Sequence, residues 1–249
     1  MVIIQIEVSS LRYRNGSFSL GPVSFKADRG EVFGIGGPNG SGKSTLIRLI
    51  LGLLKPANGS VIIDGKNIGT ITQREISRRI SYLPQSLFSP LNLSVQDVLL
   101  ASEYSMVDRN ESLSDLIEYF GLNSLKHRDF NTLSGGEKRI VMFAGAVHQG
   151  SDIIVMDEPD TFLDIDKEIF LFKEIKKLSS SGKLIITIFH DLNKLRDTCD
   201  RVLLLKSGKQ IAYGKSNEVL IPDVLETIYS AKFLLDEGKT GTRIIATRQ

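Results

Sequence analysis

The fold is decided by one stretch of sequence, Val32-Phe33-Gly34-Ile35-Gly36-Gly37-Pro38-Asn39-Gly40-Ser41-Gly42-Lys43-Ser44. Its first part, Val32 to Gly36, is apolar and predicts a buried strand, and helical spacing follows the glycines from Ser44 to Leu53. The turn between them matches the pattern G-x-x-x-x-G-K-[ST]. Its glycines let consecutive backbone N–H groups converge on phosphate oxygens, and the helix N-terminus adds partial positive charge. We therefore predict a nucleotide-binding loop formed by Gly37, Pro38, Asn39, Gly40, Ser41, Gly42, Lys43, Ser44 and Thr45.

Two side chains of this loop have predicted roles in chemistry. Lys43 is expected to reach the β- and γ-phosphates of a bound nucleotide, and the Ser44 hydroxyl is expected to bind Mg²⁺. Taken alone, the loop leaves kinases, GTPases and motor proteins open.

A second apolar strand ends in two acids. Ile153-Ile154-Val155-Met156 is followed by Asp157-Glu158, and acids at the C-terminal end of a central strand point into the crevice where ligands bind in open α/β sheets. Asp157 is predicted to hold Mg²⁺, largely through water. Glu158 is predicted to polarise the attacking water as a general base. The acidic pair reduces the number of nucleotide-binding classes, among kinases, GTPases and motor proteins, that fit the sequence.

Composition bounds the class of protein. The chain has 249 residues, enough for one large domain, with 41% hydrophobic and 24% charged residues and a net charge of +2. This near-balance argues against nucleic acid as the partner. The single cysteine, Cys199, excludes an internal disulfide and a cysteine-based metal site. The N-terminus is not typical of a signal peptide, and no apolar run approaches the ~20 residues that cross a bilayer. We therefore expect an intracellular chain.

Apolar strands alternate with helices along most of the chain, which predicts an α/β fold with a mostly parallel sheet. The first third reads as short strands that favour an antiparallel β-subdomain. Strand signals disappear between Leu93 and Gln149, which indicates a helical insert at 92–149 within a single domain of 1–91 and 150–249. One apolar helix face is predicted from Ile165, Ile169, Phe172 and Ile175, and a hairpin is predicted from Phe233 to Thr247.

The segment Leu133-Ser134-Gly135-Gly136-Glu137 carries a family resemblance. After the phosphate loop and just before the acidic pair, it resembles the signature of ABC-transporter nucleotide-binding subunits, and the resemblance covers nearly all of the chain. It implies a P-loop ATPase fold of ABC type. It also implies that Ser134, Gly135, Gly136 and Glu137 contact the γ-phosphate held by a second copy, so that two cassettes enclose two ATP molecules head to tail.

Further family markers fall in register with this resemblance. Gln85 matches the glutamine that senses Mg²⁺ and the attacking water, and His190 matches the switch histidine that contacts the γ-phosphate. Asp164 matches the loop that crosses the dimer interface, and Tyr13 matches the aromatic residue that stacks on adenine. The pattern departs from the family at Ile140 and Gly145, where arginine is usual, and at Asp160-Thr161-Phe162, where Thr-Ser-Ala is more frequent.

The resemblance also implies partners and location. A cassette of this kind works with two transmembrane permease subunits and, indirectly, a substrate-binding protein, at the cytoplasmic face of the cell membrane. Segments such as His190-Asp191-Leu192-Asn193 are similar to importers of iron-siderophore complexes, haem and cobalamin, whereas Ala144-Gly145-Ala146 is similar to energy-coupling-factor importers of vitamins and cobalt. A non-transport ABC ATPase and a non-catalytic ATP-binding scaffold are the alternatives from other classes. Both Glu158 and His190 are present, which argues against the scaffold.

Overall fold

The computed structural model describes residues 5–85, 91–105, 112–238 and 241–247. Twelve strands, counted over this part of the chain, form three sheets. In chain order they are β1 (Gln5–Asn15), β2 (Phe18–Asp28), β3 (Val32–Gly36), β4 (Asn58–Ile63), β5 (Lys66–Asn67), β6 (Ile80–Leu83), β7 (Ile153–Asp157), β8 (Leu184–Ile188), β9 (Arg201–Lys206), β10 (Lys209–Lys215), β11 (Lys232–Gly238) and β12 (Gly241–Thr247). The α-helices are α1 (Lys43–Ile50), α2 (Gln73–Arg79), α3 (Val95–Ser102), α4 (Leu113–Tyr119), α5 (Gly135–His148), α6 (Ile165–Ser180), α7 (Leu192–Thr198), α8 (Ser216–Val219) and α9 (Pro222–Ile228).

The central sheet has six strands in the order β10-β9-β3-β8-β7-β6. All neighbours are parallel except β9 and β10, which form an antiparallel hairpin at one edge. Every residue of β3, β7 and β8 is buried, as expected where helices cover both faces of a parallel sheet. The predicted α/β fold with a mostly parallel sheet is confirmed. The edge strand β10 was not predicted, because its residues are mostly half-buried or exposed and it has no continuous apolar run.

A second sheet, in the order β2-β1-β4-β5, is antiparallel throughout. Its inner face and helix α1 share one apolar core with the central sheet, including Ile6, Val23, Phe33 and Leu46. This core fixes the phosphate loop between the two sheets, since α1 follows the loop directly. The apolar pattern of the sequence predicts a first strand from Ile3 to Val8; β1 covers its second part, and residues 3 and 4 lie outside the described residues.

Helices α3, α4 and α5 lie between β6 and β7 and pack on a separate apolar core that includes Leu99, Phe130 and Phe143. Two of them begin with a capping box, in which the N-cap serine and the acid three residues later satisfy each other's backbone N–H group. The helical stretch expected from the sequence after Leu93 is therefore present in residues 91–105 and 112–149.

The helix predicted from the apolar spacing is present as α6, but the first half of its apolar face is exposed. Ile175 is fully buried, but Ile165 is 79% exposed and Ile169 is 48% exposed. The first turn of α6 lies beside the N-terminus of α5 and outside the core: a Cβ atom on Gly136 would lie 3.8 Å from Lys167 Nζ.

Strands β11 and β12 form the predicted C-terminal hairpin, whose residues 239 and 240 lie outside the described residues. Asn193 on α7 holds it through both backbone groups of Ile244, with distances of 2.8 Å from Ile244 N to Asn193 Oδ1 and 3.1 Å from Asn193 Nδ2 to Ile244 O. Within the described residues, none of the helices is long and apolar enough to span a bilayer.

Candidate functional site

The loop between β3 and α1 is wrapped around the ammonium group of Lys43. Lys43 Nζ donates to Gly37 O at 2.7 Å and to Pro38 O at 3.0 Å. Gly37 has a φ of +138°, and a Cβ there would lie 2.1 Å from Leu205 O, so the turn requires glycine. Burial lowers the pKa of Lys43, while Glu158 and Asp157 oppose this effect. The Ser41 hydroxyl is buried without a hydrogen-bond partner among the described residues. Such a buried cation and hydroxyl suit a phosphate ligand.

Asp157 ends β7 opposite this loop. Burial raises the pKa of Asp157, and the Ser44 hydroxyl at the same carboxyl group acts in the opposite direction. Its Oδ1 atom is buried without a hydrogen-bond partner among the described residues. A carboxylate and a hydroxyl oxygen are ligands that suit Mg²⁺, which in phosphate sites usually takes one or two protein ligands together with phosphate oxygens and water. This donor set therefore fits Mg²⁺. The described residues contain no cluster of three or more His, Cys, Asp or Glu side chains that could hold a metal ion.

Glu158 is held at both carboxylate oxygens. Its Oε1 atom lies 2.6 Å from His190 Nε2, and its Oε2 atom accepts from Gln85 Nε2 at 2.8 Å. The three residues follow β6, β7 and β8, whose carboxyl ends lie side by side in the sheet. Glu158 has a φ of +53°, a left-handed conformation that costs a non-glycine residue about 1–3 kcal/mol and is frequent at functional sites. The structure thus brings three sequence-predicted residues into direct contact.

A cavity of about 410 Å³ opens between the loop and two members of this trio, Gln85 and Glu158. It is lined by Phe18, Asn39, Gly40, Gly42, Lys43, Ser44, Thr45, Gln85 and Glu158. Phe18 was not predicted from the sequence. Its ring lies over the phosphate loop, where a Cβ on Gly42 would come within 3.2 Å of Phe18 Cζ. Tyr13, the predicted adenine-stacking residue, is half-buried against the core of the antiparallel sheet and is not among the lining residues.

The signature segment lies at the N-terminus of α5. Ser134 is the N-cap, its backbone N–H donates to Glu137 Oε2 at 2.7 Å, and these contacts from Ser134 lower the pKa of Glu137. A Cβ on Gly135 would lie 3.0 Å from the Phe162 side chain, and one on Gly136 would lie 2.9 Å from Phe162 O. The residues lining the 410 Å³ cavity include none of the signature residues. The structure therefore does not bring the signature to the phosphate loop of the same chain.

Asp164 lies between β7 and α6, and it is close in space to the signature segment. It caps α6 by accepting from Lys167 N at 2.9 Å and from Lys167 Nζ at 2.6 Å. Phe162, two residues earlier, is 75% exposed with a φ of +68°. Together with the exposed Ile165 and Ile169, it forms an apolar surface next to the signature helix.

Arg139 is a residue of the site that the sequence reasoning missed. It lies on α5, is only 3% exposed, and donates to main-chain carbonyls in the segments that follow β6 and β7. Its signal in the sequence is weak, because an arginine four residues after the start of a helix is usually interpreted as a surface charge.

The strand–loop–helix unit with Lys43 and the acidic pair at the end of β7 define this chain as a P-loop nucleotide-binding protein. A family model described as "ABC transporter" matches residues 20–161. The chain belongs to the ABC transporter family, and it is an ATPase cassette of that family.

Relatives of known name support this placement. The vitamin B12 import ATP-binding protein BtuD of Vibrio atlanticus is 32% identical, over 85% of this chain and 88% of its own length. The petrobactin import ATP-binding protein FpuC of Bacillus anthracis is 31% identical, over 94% and 89%. The hemin import ATP-binding protein HmuV of Bradyrhizobium diazoefficiens is 32% identical, over 90% and 88%.

Solved structures agree with this fold. A nucleotide-free ATP-binding cassette from an ABC transporter has a TM-score of 0.75 at 27% identity, covering 90% of this chain and 95% of its own. The cassette MJ0796, a dimer bound to ADP and phosphate, has a TM-score of 0.74 at 26% identity, covering 85% and 98%.

Proposed function

We propose that this chain is the ATP-hydrolysing subunit of an importer for iron-siderophore complexes, haem or cobalamin. The observation that carries the catalytic part is the placement of Glu158 between Gln85 and His190 at the rim of the cavity that holds Lys43. The names of relatives such as BtuD, FpuC and HmuV support the cargo class.

The geometry supports a mechanism of water activation in this cavity. Glu158 acts as general base, because its carboxylate is fixed by two neighbours and faces the phosphate loop. The backbone N–H groups of the loop and Lys43 hold the β- and γ-phosphates, and His190 stabilises charge on the transferred phosphoryl group. Ser44 and Asp157, with Gln85 nearby, would hold Mg²⁺, which when bound neutralises charge on the phosphate oxygens. Tyr13 contributes the adenine contact.

The proposal includes a second copy of the chain. Ser134, Gly135, Gly136 and Glu137 lie outside the cavity of their own chain, which supports their use on the nucleotide of a partner. The exposed apolar surface formed by Phe162, Ile165 and Ile169 lies next to this segment and would become buried in such a dimer, together with Asp164. The dimeric form of MJ0796 supports the same arrangement. Residues 1–91 and 150–249 would act as the catalytic core of each cassette, and residues 92–149 as its helical part.

The proposal also places the dimer on two permease subunits at the cytoplasmic face of the membrane, with a substrate-binding protein acting indirectly. The alternative is the motor of another metal or vitamin importer of the energy-coupling-factor type. Purification of the tagged chain in detergent, followed by identification of its membrane partner, separates the two. A permease of the siderophore, haem or cobalamin class supports the proposal, and a vitamin or cobalt permease contradicts it.

The catalytic part is tested with Glu158→Gln. We expect ATP binding to be retained, the dimer to be trapped with ATP, and turnover to fall by about 10³-fold, because a general base contributes roughly 10²–10⁴-fold. Glu174→Gln is the matched control: Glu174 is also buried, but it accepts from Tyr119 away from the cavity. Turnover that survives Glu158→Gln, or that falls equally in both variants, contradicts the assignment.

A further inference from the structure

Arg139 links the signature helix to the two catalytic loops of its own chain. Its Nη1 atom donates to Pro84 O at 2.6 Å, and its Nη2 atom donates to Gln85 O at 3.0 Å and to Glu158 O at 2.6 Å. A longer contact of 3.5 Å reaches Asp157 O. The carbonyls of Pro84 and Gln85 follow β6, the carbonyl of Asp157 ends β7, and that of Glu158 follows it. One guanidinium group therefore holds the main chain of both residues, Gln85 and Glu158, whose side chains meet in the cavity.

Burial of the Arg139 side chain has a desolvation cost, and its guanidinium group donates hydrogen bonds with a fixed geometry. The side chain is only 3% exposed, and burial lowers its pKa, whereas the nearby carboxylates of Asp160, Asp157 and Glu158 raise it. Its planar fork presents five fixed donors, and a lysine ammonium is a single point charge on a flexible stem. Loss of such a donor weakens the hydrogen bonding of a buried carbonyl and destabilises its position. The contact is thus well suited to fix the position of two loops at once.

The Glu158 backbone has a strained conformation that must be stabilised by contacts with its neighbours. Its φ of +53° is left-handed and strained for glutamate. That conformation directs the carbonyl group to Arg139 and the carboxylate to His190 and Gln85. The same carbonyl also accepts from Thr161 N at 3.2 Å, so Arg139, at 2.6 Å, supplies the shorter of the two hydrogen bonds described at this carbonyl.

We propose that Arg139 is a positioning residue that holds Gln85 and Glu158 in their reactive placement from the helix that begins with the signature. The inference rests on the proposed function, since it assumes that Glu158 and Gln85 act in hydrolysis. The adjacent Ile140 is buried in the apolar core. Arg139, by contrast, directs its guanidinium group to the segments that follow β6 and β7. ATP binding depends on the phosphate loop, which Arg139 does not contact in the described residues. Loss of Arg139 therefore lowers the rate of hydrolysis and leaves ATP affinity unchanged.

The first test compares three variants. Arg139→Met is expected to bind a fluorescent ATP analogue with the wild-type Kd and to lose about 100-fold in kcat, the size of effect known for a misplacement of about 1 Å at a reacting centre. Arg139→Lys is expected to recover part of the rate, because it restores one of the bonds. Lys138→Met is the matched control on the same helix, since Lys138 donates to Asn131 O and not to the catalytic loops. If Arg139→Met does not fold, Arg139→Gln is judged by the same separation of kcat from Kd.

The second test asks whether Arg139 acts on the site of its own chain. Mixed dimers are prepared from two differently tagged copies, with Glu158→Gln and Arg139→Met placed either in the same copy or in opposite copies. The same-copy dimer is expected to keep one intact site and the turnover of a dimer that carries only Glu158→Gln in one copy. The opposite-copy dimer is expected to lose both sites.

The outcomes separate this inference from the function on which it rests. Wild-type turnover in Arg139→Met, a weaker ATP affinity that accounts for the lost rate, or equal losses in the two mixed dimers would overturn the role of Arg139. Survival of turnover in the Glu158→Gln homodimer would instead overturn the proposed function.

Discussion

The close approach between the signature helix and Phe162 makes Gly136→Ala an informative change. A methyl group on Gly136 would lie 2.9 Å from Phe162 O, a main-chain atom that no rotamer change can remove. Ordinary contact between heavy atoms begins near about 3.5 Å, so the N-terminus of α5 and the segment at Phe162 must separate by roughly 0.6 Å. Because Ser134 caps this helix, the separation displaces the group expected to reach the partner's nucleotide.

Gly136→Ala is expected to change the stability of the protein less than its turnover. Overpacking costs about 1–3 kcal/mol, and alanine in a helix returns about 1 kcal/mol relative to glycine. The net loss of roughly 0–2 kcal/mol corresponds to a decrease in Tm of at most about 8 °C for a chain of this size. Turnover should fall much further, by about 100-fold, because catalysis is sensitive to displacements below 1 Å.

The assay combines thermal unfolding with ATP-driven phosphate release. Gly145→Ala, on the same helix, is the control, because its methyl group would meet Leu99 Cδ2 at 3.7 Å and Ser102 Cβ at 3.9 Å, both ordinary contacts. We expect Gly145→Ala to keep its turnover and to gain about 0.5–1 kcal/mol in stability. Wild-type turnover in Gly136→Ala would refute the reasoning, and so would a loss of activity that merely follows the loss of folded protein.

Three further changes test other parts of the site and fold. Burial raises the pKa of Asp157, so the cost of its ionised form is absent below the ordinary value of about 3.9, grows as pH rises from that value to the raised pKa, and is complete above it. Asp157→Asn should therefore raise the Tm of the nucleotide-free protein at pH 7 more than at pH 4, and abolish Mg²⁺-dependent turnover. Tyr13→Ala and Phe18→Ala are compared in titrations with a fluorescent ATP analogue. The ring that stacks on the base is the one whose removal lowers the free energy of ATP binding by about 1–3 kcal/mol. Asn193→Ala removes both contacts to Ile244, and hydrogen exchange at Ile244 should then accelerate by the equivalent of about 1–3 kcal/mol.

The sequence predicted those parts of the fold whose signals are local. Buried strands such as β3 and β7 consist of uninterrupted apolar residues, and the phosphate loop is encoded by glycines at fixed spacing. The exposure of Ile165 and Ile169 could not be predicted in this way. Their spacing is that of a buried helix face, and only the position of the first turn of α6 beyond the core, next to α5, leaves them exposed.

The same distinction explains which site residues were found. Glu158 was predicted from its place in an acidic pair after an apolar strand, whereas Gln85 and His190 were predicted from the family resemblance. The parallel sheet brings the three strand ends together. Arg139 acts on main-chain carbonyls, and a carbonyl group is present at every position, so no pattern of residue types records the contact. Its role appears only when β6, β7 and α5 are placed in space. It follows that a substitution at Pro84, which supplies only its carbonyl to Arg139, should be tolerated as long as the backbone there keeps its path, whereas a change at Arg139 should not.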